Sequence, residues 1–471
     1  MAHTAKCKRC SSAQVVLISR KEPFCAECFC KFISLKQRKQ MMSDPYFQDI
    51  FKVMYQDKVK SAEEAEKLNA ESKVLVPLSL GSSSIVMLDV LNSTLAEQLE
   101  THRGKAGFHV DILVCYFEKE RRDIEERLTS LFNGRLRKNK HHYKVHLVDI
   151  NAFFDSSKLM RVHLQDSNYV VRYSDASSDH RADYTVDELL GTCSNRSARE
   201  DLLNVIRTAT IKLFASHGSY KAVLWGHSMT RLADEIISLV VKGRASQIAS
   251  SMDDTSFDET FQSSFKNLHP MRDVLLSEID AYCHIFDLTQ YTYHYTPQDT
   301  LLVERSTIPV VTGSKLTRNM TINELARQYF DNIEGNYSNV ISTVVRTGAK
   351  LDDPKNNLPT VSRCRVCNNK LFKDGSEWLR QITVNHSHPI ENEEDQTLYD
   401  AWTESELGKI RGEYLKLTAE MEQNGKTLST CYGCILTLGE VRHKNVYWPE
   451  SPPNLLRDAL EEFVLTDDEE E

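Results

Sequence analysis

Residues 74–91 read VLVPLSLGSSSIVMLDVL, and this stretch decides the fold. An apolar run leads into a loop of small residues, and apolar residues then recur at helical spacing. The order predicts a strand, a loop and a helix. A loop in that setting points backbone N–H groups and the positive end of a helix dipole at an anion. Here it reads Ser79-Leu80-Gly81-Ser82-Ser83-Ser84. It lacks the lysine of the Gly-x4-Gly-Lys-Ser/Thr phosphate loop. By spacing alone, a serine-rich turn accounts for it equally well.

The flanking sequence extends the pattern. HVDILVCYFE, YKVHLVDI and YKAVLWGHS read as further strands, while STLAEQLETHR, REDLLNVIRTATIKLFASHG and RLADEIISLVVKGR read as helices. Alternation of this kind predicts an α/β fold with a parallel sheet covered on both faces. TINELARQYFDNI predicts one more helix, and the polar run at residues 246–265 predicts a mobile insertion. The expected organisation is a cysteine-rich module with a basic helix over 1–60, the α/β domain over 61–348, and a second cysteine region over 349–471. That last region carries an acidic stretch, IENEEDQ, and a solvated tail, TDDEEE.

Composition sets outer limits. The 471 residues allow two or three domains, and 41% hydrophobic with 27% charged residues is ordinary for a globular protein. A formal charge of −9 excludes a uniformly basic surface, so any nucleic-acid contact must use local patches. No apolar run approaches a membrane span, and MAHTAKCKRC carries no secretory h-region.

Eight of the twelve cysteines form four Cys-x-x-Cys pairs. Cys7/Cys10 and Cys25/Cys28 are separated by fourteen residues, a spacing typical of structural zinc. Cys364/Cys367 and Cys431/Cys434 stand much further apart, with the whole stretch 368–430 between them, and form a second, less regular candidate. Four thiolates leave no open position, so both read as structural sites.

Three motifs carry a resemblance. SLGSSS is similar to the PP-loop, Ser-Gly-Gly-x-Asp-Ser, of ATP-pyrophosphatases that adenylate their substrates. Ser79, Gly81 and Ser84 match; Leu80 replaces the first Gly and Ser83 the Asp. GHSMTRLAD resembles the Gly-His-Asn-x-Asp-Asp of those enzymes, with Ser228, Thr230 and Arg231 at the Asn and Asp positions. LLGTCSNRSARED resembles their Cys-x-x-Cys before an Arg-rich helix, with Leu190 at the first cysteine and Cys193 at the second. Their third cysteine falls near Thr289–Tyr291, where the nearest thiol is Cys283. Together with TINELARQYFDNIEGNYSNVISTVVRTGAKL, these motifs resemble the family of cytoplasmic tRNA 2-thiolation protein 2.

The resemblance implies a Rossmann-like adenine-nucleotide α-hydrolase fold flanked by N- and C-terminal four-cysteine zinc modules. It implies a cytoplasmic heterodimer with a catalytic thiolase paralogue. That complex takes sulfur from a thiocarboxylated ubiquitin-like carrier to uridine 34 of tRNA for lysine, glutamate and glutamine. It also assigns a vestigial nucleotide site to Ser79, Gly81, Ser82, Ser83, Ser84, Gly226 and His227. The residues leave open whether ATP still binds. Adenylation needs Mg²⁺ held by carboxylates, and sulfur transfer needs activated thiolates or a cluster held by several cysteines. Thr230, Arg231 and a single remnant Cys193 supply neither. The expectation is therefore no catalytic residue in this chain.

Two basic clusters are candidate tRNA contacts. One is Lys31, Lys36, Arg38 and Lys39; the other is Arg135, Arg137, Lys138 and Lys140, next to His141 and His142. Two other readings stand beside this one. LWGHSMT resembles a nucleophile elbow, with Ser228 as nucleophile and Asp287 and His294 following in the required order, though Thr230 replaces the closing Gly. The other is a zinc-stabilised scaffold that touches neither nucleotide nor RNA.

Overall fold

The computed structural model describes residues 6–53, 61–155, 158–165, 169–175, 184–261, 265–305, 320–353, 362–376, 378–379, 390–423 and 427–450. The TDDEEE tail lies outside them.

The chain opens with a hairpin, β1 (Leu17–Ser19) and β2 (Glu22–Phe24), then three helices, α1 (Ala26–Met41), α2 (Pro45–Phe51) and α3 (Ala62–Glu71). Next come β3 (Lys73–Pro77), α4 (Ser82–Thr101), β4 (His109–Tyr116), α5 (Arg121–Asn133) and β5 (Tyr143–Asp149). A hairpin, β6 (Leu159–Gln165) and β7 (Val170–Asp175), precedes α6 (Val186–Gly191) and α7 (Arg196–His217). The α/β pattern resumes with β8 (Ala222–Leu224), α8 (Met229–Val241), α9 (Ile248–Met252), β9 (Lys266–Leu268), α10 (Leu276–Ile285) and α11 (Ile322–Gly348). The last part holds β10 (Ser362–Arg363), β11 (Lys370–Leu371), α12 (Glu393–Glu404), α13 (Glu406–Gln423), α14 (Tyr432–Gly439) and β12 (Asn445–Pro449).

The central sheet has the order β5-β4-β3-β8-β9, and every pairing in it is parallel. Renumbered within the sheet, that is 3-2-1-4-5, the doubly wound order. Side chains alternate across a strand, and both faces of this sheet are buried. Val74 and Val76 of β3 face one core with Val110, Ile112 and Val114 of β4. Leu75 and Leu113 face another with Leu213 and Phe214 of α7. The near-continuous apolar strands seen in the sequence follow from this two-sided cover.

The terminal cysteine regions are built into these cores. Phe24, Phe29, Ile33, Phe47 and Phe51 share one apolar cluster with Val74 and Leu91. At the other end, Cys364, Cys431 and Leu438 share a cluster with Leu189, Leu202 and Ile206. β12 adds to β6 and β7 in a separate antiparallel sheet, pairing Trp448 with Met160.

The polar run at 246–265 is not a free insertion over its described part. Ile248 and Met252 are buried against α8 and α11, and Asp258 pairs with Lys212 at 2.7 Å. Phe265 is buried in the sheet core as well, and these anchors are separated by serine, threonine and acidic residues, so the run looks polar in sequence. The acidic stretch also differs from a plain spacer. Asn392 caps α12, and Glu393, Glu394 and Asp395 fill its first turn, where the helix dipole favours negative charge. Among the described residues, no helix is long and apolar enough to cross a membrane.

Candidate functional site

In a doubly wound sheet the strand order reverses at a crevice beyond the strand C-termini, and ligands bind there. Here the reversal falls between β3 and β8. The SLGSSS loop follows β3 and the GHS segment follows β8, so two motifs far apart in the chain meet at one place. The contact is tight: a Cβ on Gly226 would stand 2.8 Å from the Cα of Ser84. Only glycine allows that approach.

The loop turns through one left-handed residue and is tied by its own hydroxyls. Leu80 has φ +55°, the left-handed region that glycine adopts without strain. Its side chain is buried in the core, and its carbonyl accepts from Tyr293 N at 2.7 Å. Gly81 is the N-cap of α4. The serines mostly bond one another: Ser79 Oγ lies 3.2 Å from Ser84 Oγ, and Ser84 Oγ donates to Gly81 O at 3.0 Å. Ser82 and Ser84 are buried, and Ser83 is half-buried.

At the end of β8, His227 lies between Trp225 and His269, with ring centroids 6.2 and 5.8 Å away. Its Nδ1 is buried without a partner, and burial favours the neutral ring. Thr230 Oγ1 donates to Glu334 of α11 and accepts from Leu276 N of α10 at 3.0 Å. Glu334 also accepts from Ser277 N at 2.8 Å. Arg231 pairs with Asp234 at 3.1 Å and places its guanidinium 5.8 Å from the Tyr295 ring centroid. Thr230 thus joins α8 to α10 and α11, and Arg231 places a cation beside it.

A neighbouring acid is unusual. Asp280 accepts from Tyr295 Oη at 2.6 Å and Gln298 N at 3.0 Å, while its Oδ1 is buried without a partner. Burial pushes this carboxyl up to about 6.

Cys193 is buried between α6 and α7, and burial pushes its thiol up to about 11. Cys283 is fully buried in α10 within a different apolar cluster. Burial raises its thiol as well. Neither is a thiolate poised for attack.

The nucleophile-elbow reading does not survive the geometry. Such a serine sits on a strained strand-to-helix turn with its Oγ exposed. Ser228 has φ −71° and is the N-cap of α8, accepting from Arg231 N; it is fully buried. His294 pairs with Glu120 at 3.2 Å. Among the described residues no hydrogen bond links Ser228, Asp287 and His294.

Both cysteine groups assemble as their spacing predicts. Within each, the four sulfur atoms lie within 4.8 Å of one another. Cys10 Sγ is 3.9 Å from Cys25 Sγ, and Cys367 Sγ is 3.7 Å from Cys431 Sγ. Zn–S bonds of about 2.3 Å would put tetrahedral sulfurs about 3.8 Å apart. The residues therefore fit a single ion. A 4Fe–4S cluster binds each thiolate to a separate iron and a 2Fe–2S cluster two to each, and both spread the four sulfurs wider than a single ion does. The two groups share one construction: a pair on a turn beside a two-stranded sheet, and a pair opening a helix. Cys25 is the N-cap of α1 and Cys431 the N-cap of α14.

The second group has further partners that the sequence does not signal. Arg244 Nη1 lies 3.7 Å from Cys431 Sγ and 3.5 Å from Cys434 Sγ, and Gln247 Nε2 lies 3.8 Å from Cys367 Sγ. Arg244 fits because residue 433 is glycine: a Cβ there would meet Arg244 Cγ at 2.4 Å.

The basic clusters divide. Lys36 and Arg135 hold buried carboxylates, Glu278 at 3.5 Å and Asp89 at 2.5 Å, and Arg38 pairs with the exposed Glu97. Lys31, Lys39, Arg137 and Lys138 are exposed and make no ion pair among the described residues. Lys140 is half-buried in the 3₁₀ turn before β5, and Asn139 beside it bonds Asn92.

This sheet order and pair of four-cysteine groups define a doubly wound α/β protein with two candidate metal sites. A family model described as cytoplasmic tRNA 2-thiolation protein 2 matches residues 321–436. The protein of that name from Kluyveromyces lactis is 48% identical over 99% of this chain and 99% of its own length. Its counterpart in Saccharomyces cerevisiae S288c is 38% identical over 94% and 93%. The chain belongs to the cytoplasmic tRNA 2-thiolation protein 2 family. Among solved structures, the U34-tRNA thiolase NcsA of Methanococcus maripaludis, with its 4Fe-4S cluster, is similar at TM-score 0.45 and 16% identity, over 77% of this chain and 95% of that one.

Proposed function

We propose that this chain is the non-catalytic subunit of a complex that 2-thiolates wobble uridine 34 of tRNA for lysine, glutamate and glutamine. Its partner is a catalytic thiolase paralogue, and the sulfur comes from a thiocarboxylated ubiquitin-like carrier in the cytoplasm. The relatives' names support the reaction class. One observation supports the division of labour: at the switch-point crevice Thr230 bonds α10 and α11, and Arg231 pairs with Asp234 of its own helix, so neither position offers a carboxylate. Aspartates at these two positions would hold Mg²⁺ against transferring phosphates; a threonine and a guanidinium do not. The buried thiols of Cys193 and Cys283 add no nucleophile.

The chain's own residues have structural and tRNA-holding roles. The eight paired cysteines hold two zinc ions, which lock the terminal hairpins onto the α/β core. Lys31, Lys39, Arg137 and Lys138 contact tRNA phosphates. Serine at 79, 82, 83 and 84 maintains the loop that Gly226 abuts. The test is ATP turnover by the purified chain with tRNA present. The reading expects no AMP above background. AMP formation that disappears on Ser79→Ala and Ser84→Ala would contradict it. A pure scaffold is separated by crosslinking: the proposal expects direct crosslinks from this chain to tRNA.

A further inference from the structure

The four basic residues of α1 do not form one patch. Lys31 and Arg38 are seven apart and share one side of the helix, and Arg38 is held by Glu97 of α4. Lys36 and Lys39 are three apart and share another side. That side looks across a cleft of about 390 Å³ at the C-terminal half of α11.

The cleft is cationic although the chain is acidic. Arg20 enters from the β1-β2 turn, Lys36 and Lys39 from α1, and Arg346 from α11. The carboxylates near them are Asp273, which lines the cleft, and Glu278, which is fully buried behind it. Glu278 accepts from Arg20 Nε at 2.8 Å and lies 3.5 Å from Lys36 Nζ. Asp273 accepts from Gln40 through its side chain at 2.7 Å, and its carbonyl accepts from Lys36 Nζ at 2.7 Å. Arg20 and Lys36 are thus fixed in position before any ligand arrives. Lys39 and Arg346 have no ion pair among the described residues and are exposed. Between them α11 presents Ser338, Asn339 and Ser342, neutral groups suited to phosphate oxygens and hydroxyls.

We propose that this cleft between α1 and α11 seats the sugar-phosphate backbone of RNA. Two preset cations and two unpaired ones, interleaved with hydroxyl and amide groups, match a chain of phosphates and 2′-hydroxyls better than an apolar protein surface. The inference rests on the reading that tRNA is a ligand, and it adds Arg20, Arg346 and one face of α11 to the contact.

The test uses the full chain purified from its own cells with whatever partner it holds. tRNA affinity is measured across a salt series for wild type, for Lys39→Ala with Arg346→Ala, and for Arg122→Ala on α5 as control. Each lost phosphate contact flattens the log-log salt slope by about 0.7 to 0.9. The double variant should bind about tenfold more weakly and lose about 1.5 from its slope, with unchanged melting. The control should match wild type. Wild type that binds with a steep slope, and a double variant with the same slope, overturns the cleft alone. Wild type that binds no tRNA overturns the cleft and the tRNA reading together. Displacement of tRNA by poly-glutamate but not by poly-uridine would reassign the cleft to an acidic protein.

Discussion

Arg244 forms a bidentate pair with Asp201, at 3.2 Å through Nε and 2.6 Å through Nη2, while its remaining nitrogen faces the sulfurs of Cys431 and Cys434. Both side chains are buried, with 3% and 8% exposure. The guanidinium links α7 of the α/β core to the C-terminal cysteine group. With a divalent ion bound, it would also offset the net negative charge of four thiolates around it. Wild type should hold two equivalents of metal by elemental analysis. Arg244→Met removes the cation from the cysteine group and leaves Asp201 with only Lys242, at 3.5 Å, as a cationic partner. Outer partners of this kind typically contribute about 10- to 100-fold in metal affinity. Chelator competition should release one equivalent at about that lower chelator concentration, with the N-terminal equivalent unmoved.

Gly226 and Ser84 hold the two halves of the switch point together. A methyl at 226 meets backbone, which cannot swing aside. Gly226→Ala should cost about 1–3 kcal/mol through overpacking. Denaturant unfolding measures it as a lower midpoint at unchanged slope. An unchanged midpoint would mean that the β8 end and α4 do not meet as described.

Asp280 predicts a pH dependence. Its carboxyl in the folded chain ionises at about 6, above the value near 3.9 for an unfolded Asp. The native state therefore keeps a proton that the unfolded state has released. The stability this contributes is present at acidic pH and is lost as pH rises through about 6. Asp280→Asn is neutral throughout and still accepts from Tyr295 and Gln298. Between pH 5 and pH 8 the stability difference should move by about 1.4 kcal/mol in favour of the variant. A difference independent of pH would show that Asp280 is ionised throughout this range.

How far the sequence can be read follows from the range of each interaction. The β3-loop-α4 unit and the parallel sheet are legible because period-2 and period-3.6 patterns are local. The two cysteine groups are legible because Cys-x-x-Cys fixes two ligands on one turn, even where a long stretch of chain separates the second set. The β6-β7-β12 sheet is not legible. Alternation at Met160, Val162 and Leu164 signals a half-buried strand, but nothing local pairs it with residues 445–449. The basic run of α1 shows the same limit. Nothing near Lys36 in the chain announces Glu278, a distant residue of α10 that occupies its charge. Arg244 carries no signal, since its partners come from α7 and α14. Leu80 reads in sequence as a departure from glycine; the structure adds that it keeps glycine's left-handed backbone.

The central claim is that thiolation needs this chain but not chemistry at its own remnant site. The direct measurement is mass spectrometry of wobble 2-thiouridine in cells lacking the chain, rescued with wild type or with Cys193→Ala at matched protein level. The account predicts loss of 2-thiouridine without the chain and full return with either rescue. Undiminished 2-thiouridine without the chain, or a Cys193→Ala protein that is present but restores none, would contradict it.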